Sequence, residues 1–464
     1  MKRITTIKKR WSMDQLITGI ELPEWMRVLK SNDYKVDAGY AHRAAWISAF
    51  SLPTTALGAF EDARYGRQLA AMEIDPTPLF VLGHWRSGTT HMHNLLGRAP
   101  GHTYPTVYQV VMPGNFLTTG GVLPELTARL MDDTRSYDNV KHGWHEAAED
   151  EIALAKLTGL SPYLAFMFPD HMPQYEKYVD FLEVAGAERE RWKESLRYLI
   201  KKIMLATGGS RVIVKSCPHT ARIRMILEMF PDARFVFIHR NPYEVFLSTL
   251  HMRSHTDWEN FFHAPEESWE GQREQQTLIL GQRIFERYLE DRHLIPAENL
   301  YEIAYTDLVG REMEVMSDIY ARLRLPGWAT AEPVLQSYVD GLAGYKTNKL
   351  KKIGRKERDA VYEKWHAVFD AFGYERDYPP TGAAQRAAQP EIVPASADAA
   401  PASAEDPLDA DGPVLDAEEV LGGLDSRAPD SRAPDSRAPD SRAPDSTIPD
   451  NGAAAPTLSE ETPA

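Results

Sequence analysis

Four short apolar runs punctuate the chain: Leu79–Leu82, Arg211–Lys215 around Val212-Ile213-Val214, Arg234–Ile238 and Leu300–Ala304. They are apolar on consecutive rather than alternating positions. That pattern predicts short strands buried on both faces. Between them apolar residues recur at helical spacing. Helices are predicted from Thr89 to about Arg98 and over 218–229, 242–252, 266–292 and 307–323. Pro218 and Pro242 stand at first-turn positions, where a missing N–H costs nothing. Residues 145–208 read as helices interrupted at Ser161-Pro162 and Pro169, and the Pro-, Gly- and Thr-rich stretch 100–140 reads as loops. Strand and helix alternate, which favours an α/β fold with a parallel sheet covered on both sides.

Residues 1–77 read as a helical region packing on this core. Within it Ala44–Phe60 carries no charge but contains Pro53 and several hydroxyl residues. It reads first as a buried helix pair and second as a helix lying on a membrane surface. No apolar run reaches the length of a membrane span.

Composition divides the chain at residue 381. All the aromatic residues (10 Trp, 20 Tyr and 16 Phe) precede it. Beyond it, Asp-Ser-Arg-Ala-Pro occurs four times from Asp425 to Pro444. A segment so poor in large apolar groups cannot offset its ordering entropy, so 381–464 is expected to be a disordered acidic tail. The body, the first 380 residues with 78–380 as its principal domain, is long enough for a sizeable core.

The charge divides at the same place. The whole chain has 52 Lys and Arg against 67 Asp and Glu, a net of −15. The tail holds 5 Arg, no Lys and 17 acids, a net of −12, which leaves the first 380 residues at −3. The overall balance excludes a general nucleic-acid binder. The nearly neutral body is free to concentrate cations locally. Cys217 is the sole cysteine, so no intramolecular disulfide forms, as suits a reducing compartment. Met1–Arg10 is basic with no apolar core after it, unlike a secretory leader. A cytoplasmic location is expected, with peripheral contact at the inner membrane face as an accompanying reading.

The first strand runs into Gly83-His84-Trp85-Arg86-Ser87-Gly88-Thr89-Thr90. The frame of Gly, four residues and Gly is that of a phosphate loop, but Thr89 stands where a nucleotide triphosphatase has Lys. Gly88 lets backbone N–H groups approach an anion, and the following helix points its positive end there. Arg86 supplies a permanent planar cation within the loop.

This stretch resembles the 5′-phosphosulfate loop of sulfotransferases of the Arg-Ser-Gly-Thr-Thr type. Their second signature, a strand ending in Arg with Ser eight residues later, is similar to Arg240 and Ser248. Lys215-Ser216-Cys217-Pro218-His219 and Phe230-Pro231-Asp232-Ala233-Arg234 resemble segments of the bacterial branch, with Cys217 inserted. Tyr305-Thr306-Asp307-Leu308 and Tyr345-Lys346-Thr347-Asn348 are weaker matches. The resemblance implies a P-loop NTPase-like fold and the donor 3′-phosphoadenosine 5′-phosphosulfate. Ser87, Gly88, Thr89, Thr90, Arg86, Arg240, Ser248, Tyr305 and Lys346 would hold that donor.

Sulfuryl transfer needs cations on the moving group and a base on the acceptor hydroxyl. Arg86 and Lys215 are the candidate cations, and no metal is required. In relatives a Glu follows the first helix, but here the register reads Val107-Tyr108-Gln109, and Gln109 cannot take a proton. Glu146, Glu149 and Asp150 are expected on one helical face beside Glu151; Glu149 and Glu151 are the candidate bases, with His93 and His145 as further options. His142, His145 and Glu149 can also be written as metal ligands, though no spacing motif supports them. The aromatic N-terminal region and 100–140 are expected to line an apolar acceptor pocket. A lipid or other hydrophobic alcohol is the first acceptor expected and a carbohydrate the second. A small-molecule kinase and a non-catalytic nucleotide-binding protein are the rival functions.

Overall fold

The computed structural model describes residues 15–130, 138, 140–209, 211–342 and 351–376. The expected disordered tail and Lys346 lie outside the described residues.

Five parallel strands form one sheet: β1 (Leu79–Leu82), β2 (His102–Thr103), β3 (Arg211–Lys215), β4 (Arg234–His239) and β5 (Leu300–Ala304), in the order β2-β3-β1-β4-β5. Central β1 pairs with β3 on one side (Leu79 beside Ile213) and β4 on the other (Leu79 beside Arg234). Successive side chains feed opposite cores. Phe80, Leu82, Phe235 and Phe237 pack on one side of the sheet, and Leu79, Val81, Val236 and Ile238 on the other. Both faces of the central strands are thereby covered, as consecutive apolar residues require, but β5 at the sheet edge is only half-buried, with Ile303 inward and Glu302 exposed, unlike the expected doubly buried strand. After β1 the chain builds β2 and β3 on one side, then crosses to β4 and β5. Loops leaving β1 and β4 therefore flank the topological switch, where open α/β sheets bind ligands.

The main helices are α1 (Leu22–Ser31), α2 (Ala41–Ala71), α3 (Thr89–Arg98), α4 (Val107–Val111), α5 (Asp150–Thr158), α6 (Gly186–Thr207), α7 (Ile223–Met229), α8 (Pro242–Asn260), α9 (Trp269–Asp291), α10 (Glu312–Arg322), α11 (Trp328–Asp340) and α12 (Arg355–Phe372). Trp25 of α1 and Ile47 of α2 enter the core that holds Phe80, so the N-terminal region shares the core of the sheet.

Several local expectations change. Residues 100–130 hold β2, α4 and short helices at Phe116–Thr119 and Leu123–Thr127 rather than loops alone. The helix expected over 307–323 is broken at Gly310, whose φ of +83° ends one turn before α10 begins. Residues 44–60 form the middle of the single helix α2 rather than a helix pair. Among the described residues, no helix is long and apolar enough to cross a membrane.

Candidate active site

The loop after β1 is shaped by two glycines and one strained arginine. Gly83 (φ +145°) lies so close to β4 that a Cβ would stand 2.5 Å from the Ile238 carbonyl oxygen. Gly88 (φ +108°) caps α3, and a Cβ there would meet the Tyr305 ring at 2.5 Å. Arg86 occupies the left-handed region at φ +70°, a conformation that costs a non-glycine residue on the order of 1 kcal/mol. The turn is locked inside: the Ser87 hydroxyl donates to the His84 carbonyl at 2.8 Å.

Arg86 reaches across the switch. Its Nε donates to Ser248 Oγ at 3.0 Å, and an Nη pairs with Asp138 at 2.7 Å. Arg240, at the C-terminal end of β4, pairs with Glu244 at 2.7 Å and lies 4.7 Å above the Tyr305 ring. Tyr305 thus connects Gly88 to Arg240. Ser248 is tied to Arg86 rather than to Arg240, though both flank Glu244 at the start of α8.

On the other side of β1, the end of β3 grips the start of α5. Buried Lys215 pairs with Glu149 Oε1 at 2.8 Å and lies 3.5 Å from the Thr90 hydroxyl. Ser216 donates to Asp150 at 2.7 Å and accepts the Glu151 N–H at 2.9 Å. Glu149 Oε2 accepts a short hydrogen bond from the Tyr163 hydroxyl, which in turn accepts from Trp85 Nε1 at 3.0 Å. Burial, and then the neighbouring Glu149 charge, push the Tyr163 phenol well above its usual range, so it remains a donor. The same two causes keep Cys217 a thiol.

The four carboxylates near 150 do not share one helical face. Glu149 is extended (φ −81°, ψ 122°) and serves as the N-cap, so α5 begins only at Asp150. Glu146 lies outside the helix and pairs with Arg98 at 3.3 Å and Lys141 at 3.1 Å. Asp150 is fully buried with His219 Nε2 at 2.6 Å. Burial pushes its carboxyl up, but the His219 charge and hydrogen bonds from His219 and Ser216 outweigh this and hold it below its usual value. Glu151 is also fully buried, with Arg222 at 2.6 and 3.0 Å and the Ser161 hydroxyl at 2.7 Å. The fold brings Glu149 to the loop and turns Glu151 into a structural ion pair.

Other candidates lie elsewhere. Buried His93 packs its ring edge-on to Tyr104, and exposed His145 lies 3.3 Å from Glu125. With Glu149 on Lys215, the trio His142, His145 and Glu149 makes no metal site, and among the described residues no three His, Cys, Asp or Glu converge to hold one. Gln109 closes a capping box on α4, its Oε1 accepting the Thr106 N–H at 3.0 Å. Where the N-terminal region meets 113–114 there is a cavity of about 90 Å³ lined by Glu21, Glu24 and Lys156.

The model describing the sulfotransferase family matches residues 78–330, which contain every element of this site. The chain belongs to the sulfotransferase family. The ω-hydroxy-β-dihydromenaquinone-9 sulfotransferase Stf3 of Mycobacterium bovis is 32% identical over 364 residues, 78% of this chain and 92% of its own. Stf3 of Mycobacterium tuberculosis matches equally. The fold is shared with sulfotransferase STF1 of M. tuberculosis (TM-score 0.55, 18% identity, 75% of this chain and 92% of that one) and with STF9 of Mycobacterium avium (0.56, 18%, 76% and 96%).

Within this sulfotransferase, Asp138, Tyr163, Trp85 and Glu244 contact the candidate residues, and the sequence alone did not single them out. Asp138 lies 52 residues from Arg86 and Trp85 lies 78 from Tyr163, whereas Tyr163 is 14 from Glu149 and Glu244 is one turn beyond Arg240. That i, i+4 spacing is a signal a closer reading of 240–248 would have found.

Proposed function

We propose that this sulfotransferase uses 3′-phosphoadenosine 5′-phosphosulfate as donor and transfers its sulfuryl group to the hydroxyl of a lipid alcohol. Arg86 within the turn and the Lys215–Glu149 pair beside the α3 N-terminus, all close enough to act electrostatically on Cys217, carry this reading, because they set two cations and one carboxylate base around an anion-binding turn. A bound donor would supply the sulfuryl group, and these side chains would supply the rest. Arg86 and Lys215 neutralise charge on the sulfuryl oxygens and the leaving phosphate. The backbone around Gly88, with Ser87, Thr89 and Thr90, holds the 5′ end, and Arg240 and Ser248 hold the 3′-phosphate, with Tyr305 beside them. Lys215 and Tyr163 fix the Glu149 carboxylate in place. Glu149 takes the acceptor proton as the hydroxyl oxygen bonds to sulfur and the bond from sulfur to the 5′-phosphate oxygen breaks.

Support for the acceptor comes from Stf3, a relative over most of both chains, whose name specifies a hydroxylated menaquinone lipid. The test incubates purified protein with radiolabelled donor and either ω-hydroxylated isoprenoid quinones or oligosaccharides. Label is expected in the lipid; label in sugars alone would overturn the acceptor assignment.

A further inference from the structure

Helix α2 presents two unlike faces. Arg43, Ile47, Thr54, Gly58 and Glu61 turn inward and are buried. Glu61 forms an ion pair with Lys202 of α6, both fully buried. On the opposite side, Trp46, Leu52, Phe60, Arg64 and Arg67 are exposed. Trp46 and Phe60 are 40% and 52% exposed, and Trp46 stacks on Phe50 at 5.4 Å. From Ala44 to Phe60, about 25 Å of helix, no residue on any side is charged. An exposed, uncharged face carrying Trp46, Leu52 and Phe60 belongs against another apolar phase.

The ends of this stripe identify that phase. Arg64 and Arg67 continue the apolar line and are exposed. Asp62 points elsewhere, accepting from the Tyr198 hydroxyl of α6 at 2.9 Å. The outward face therefore runs from aromatic and aliphatic anchors to two unopposed-in-sign cations, the order of groups that matches acyl chains and anionic headgroups. We propose that this face of α2 seats the enzyme on an anionic lipid bilayer. The inference rests on the lipid-alcohol reading for its purpose: a docked enzyme meets an acceptor confined to the membrane.

The test is flotation of the full chain with vesicles of phosphatidylcholine alone or mixed equally with phosphatidylglycerol. Wild type is expected to float with the mixed vesicles. Trp46→Glu with Phe60→Glu should lower binding at least about tenfold. Arg64→Ser with Arg67→Ser should lower binding to mixed vesicles about fivefold per arginine and leave phosphatidylcholine alone unaffected. These exposed positions should leave the melting temperature and turnover of a short water-soluble alcohol unchanged. Wild type that stays unbound, or a Trp46→Glu, Phe60→Glu variant that floats equally well, would overturn the proposal. So would a dimer that the same variant splits, because the face then covers a second copy. Vesicle binding without lipid sulfation would leave this docking intact and remove the acceptor reading. Sulfation of detergent-dispersed lipid without vesicle binding would do the reverse.

Discussion

Glu149 and Glu151 stand two residues apart, and the structure gives them opposite roles that a pair of isosteric substitutions separates. Glu151→Gln leaves Arg222 a buried cation without its ionic partner. Two carbonyls, of Val179 at 3.0 Å and Tyr178 at 2.7 Å, and the rings of Phe181 and Trp192 still hold the guanidinium. Breaking a buried pair typically costs 3–5 kcal/mol, and these remaining partners place the expected loss near about 3 kcal/mol. Glu149→Gln removes the base from a partly exposed position whose partners, Lys215 and Tyr163, stay in place. Its expected effect is a fall in kcat of about 10²–10⁴ with donor KM within about threefold. Urea unfolding and steady-state kinetics on both variants check the assignment. Near-normal turnover in Glu149→Gln, or a Glu151→Gln variant that loses turnover at unchanged stability, would refute it.

Other outcomes follow from the same geometry. Arg240→Ala should raise donor Kd by about 2–5 kcal/mol in binding energy, read by calorimetry, with a smaller effect on kcat. His84, buried against Phe285 and Trp365, has its pKa lowered to about 4 by burial, which outweighs its hydrogen bond to the Trp85 carbonyl. The unfolded chain takes up this proton near pH 6.5 and the folded one does not, so stability is full above that pH and declines as pH falls toward 4. His84 alone should cost about 2 kcal/mol between pH 7 and pH 5, and His84→Phe should reduce the measured pH dependence by that amount. Deleting 381–464 should leave turnover within about threefold, or about 0.7 kcal/mol in barrier.

The phosphate loop was legible because its demands are local. Gly83 and Gly88 are required by backbone conformation and close approach, and Arg86, Ser87 and the two threonines lie beside them in sequence. The main strands were legible for a similar reason, since consecutive apolar residues leave no solvent face. The two-residue edge strand β2 carried too little pattern to be seen. The identity of the base was not legible, because it depends on where α5 begins. A helix begun four residues earlier would have put Glu146, Glu149 and Asp150 on a common face. The Ser216 hydroxyl, from a strand end 65 residues along, accepts the Glu151 N–H and helps fix that boundary. Long-range partners decided the other unread contacts as well: Asp138 on Arg86, and Trp85 through Tyr163 onto Glu149. Gln109, in the register where the family resemblance implied a Glu, is a local helix cap.

The central claim is that Arg86 acts on the transferring group at this site. The direct measurement is radiolabelled sulfuryl transfer by wild type and Arg86→Ala, with donor binding measured on the same preparations. The account predicts that Arg86→Ala still binds the donor through Arg240 and the loop backbone while transfer falls by at least about 10³-fold. Transfer by Arg86→Ala at the wild-type rate would contradict it.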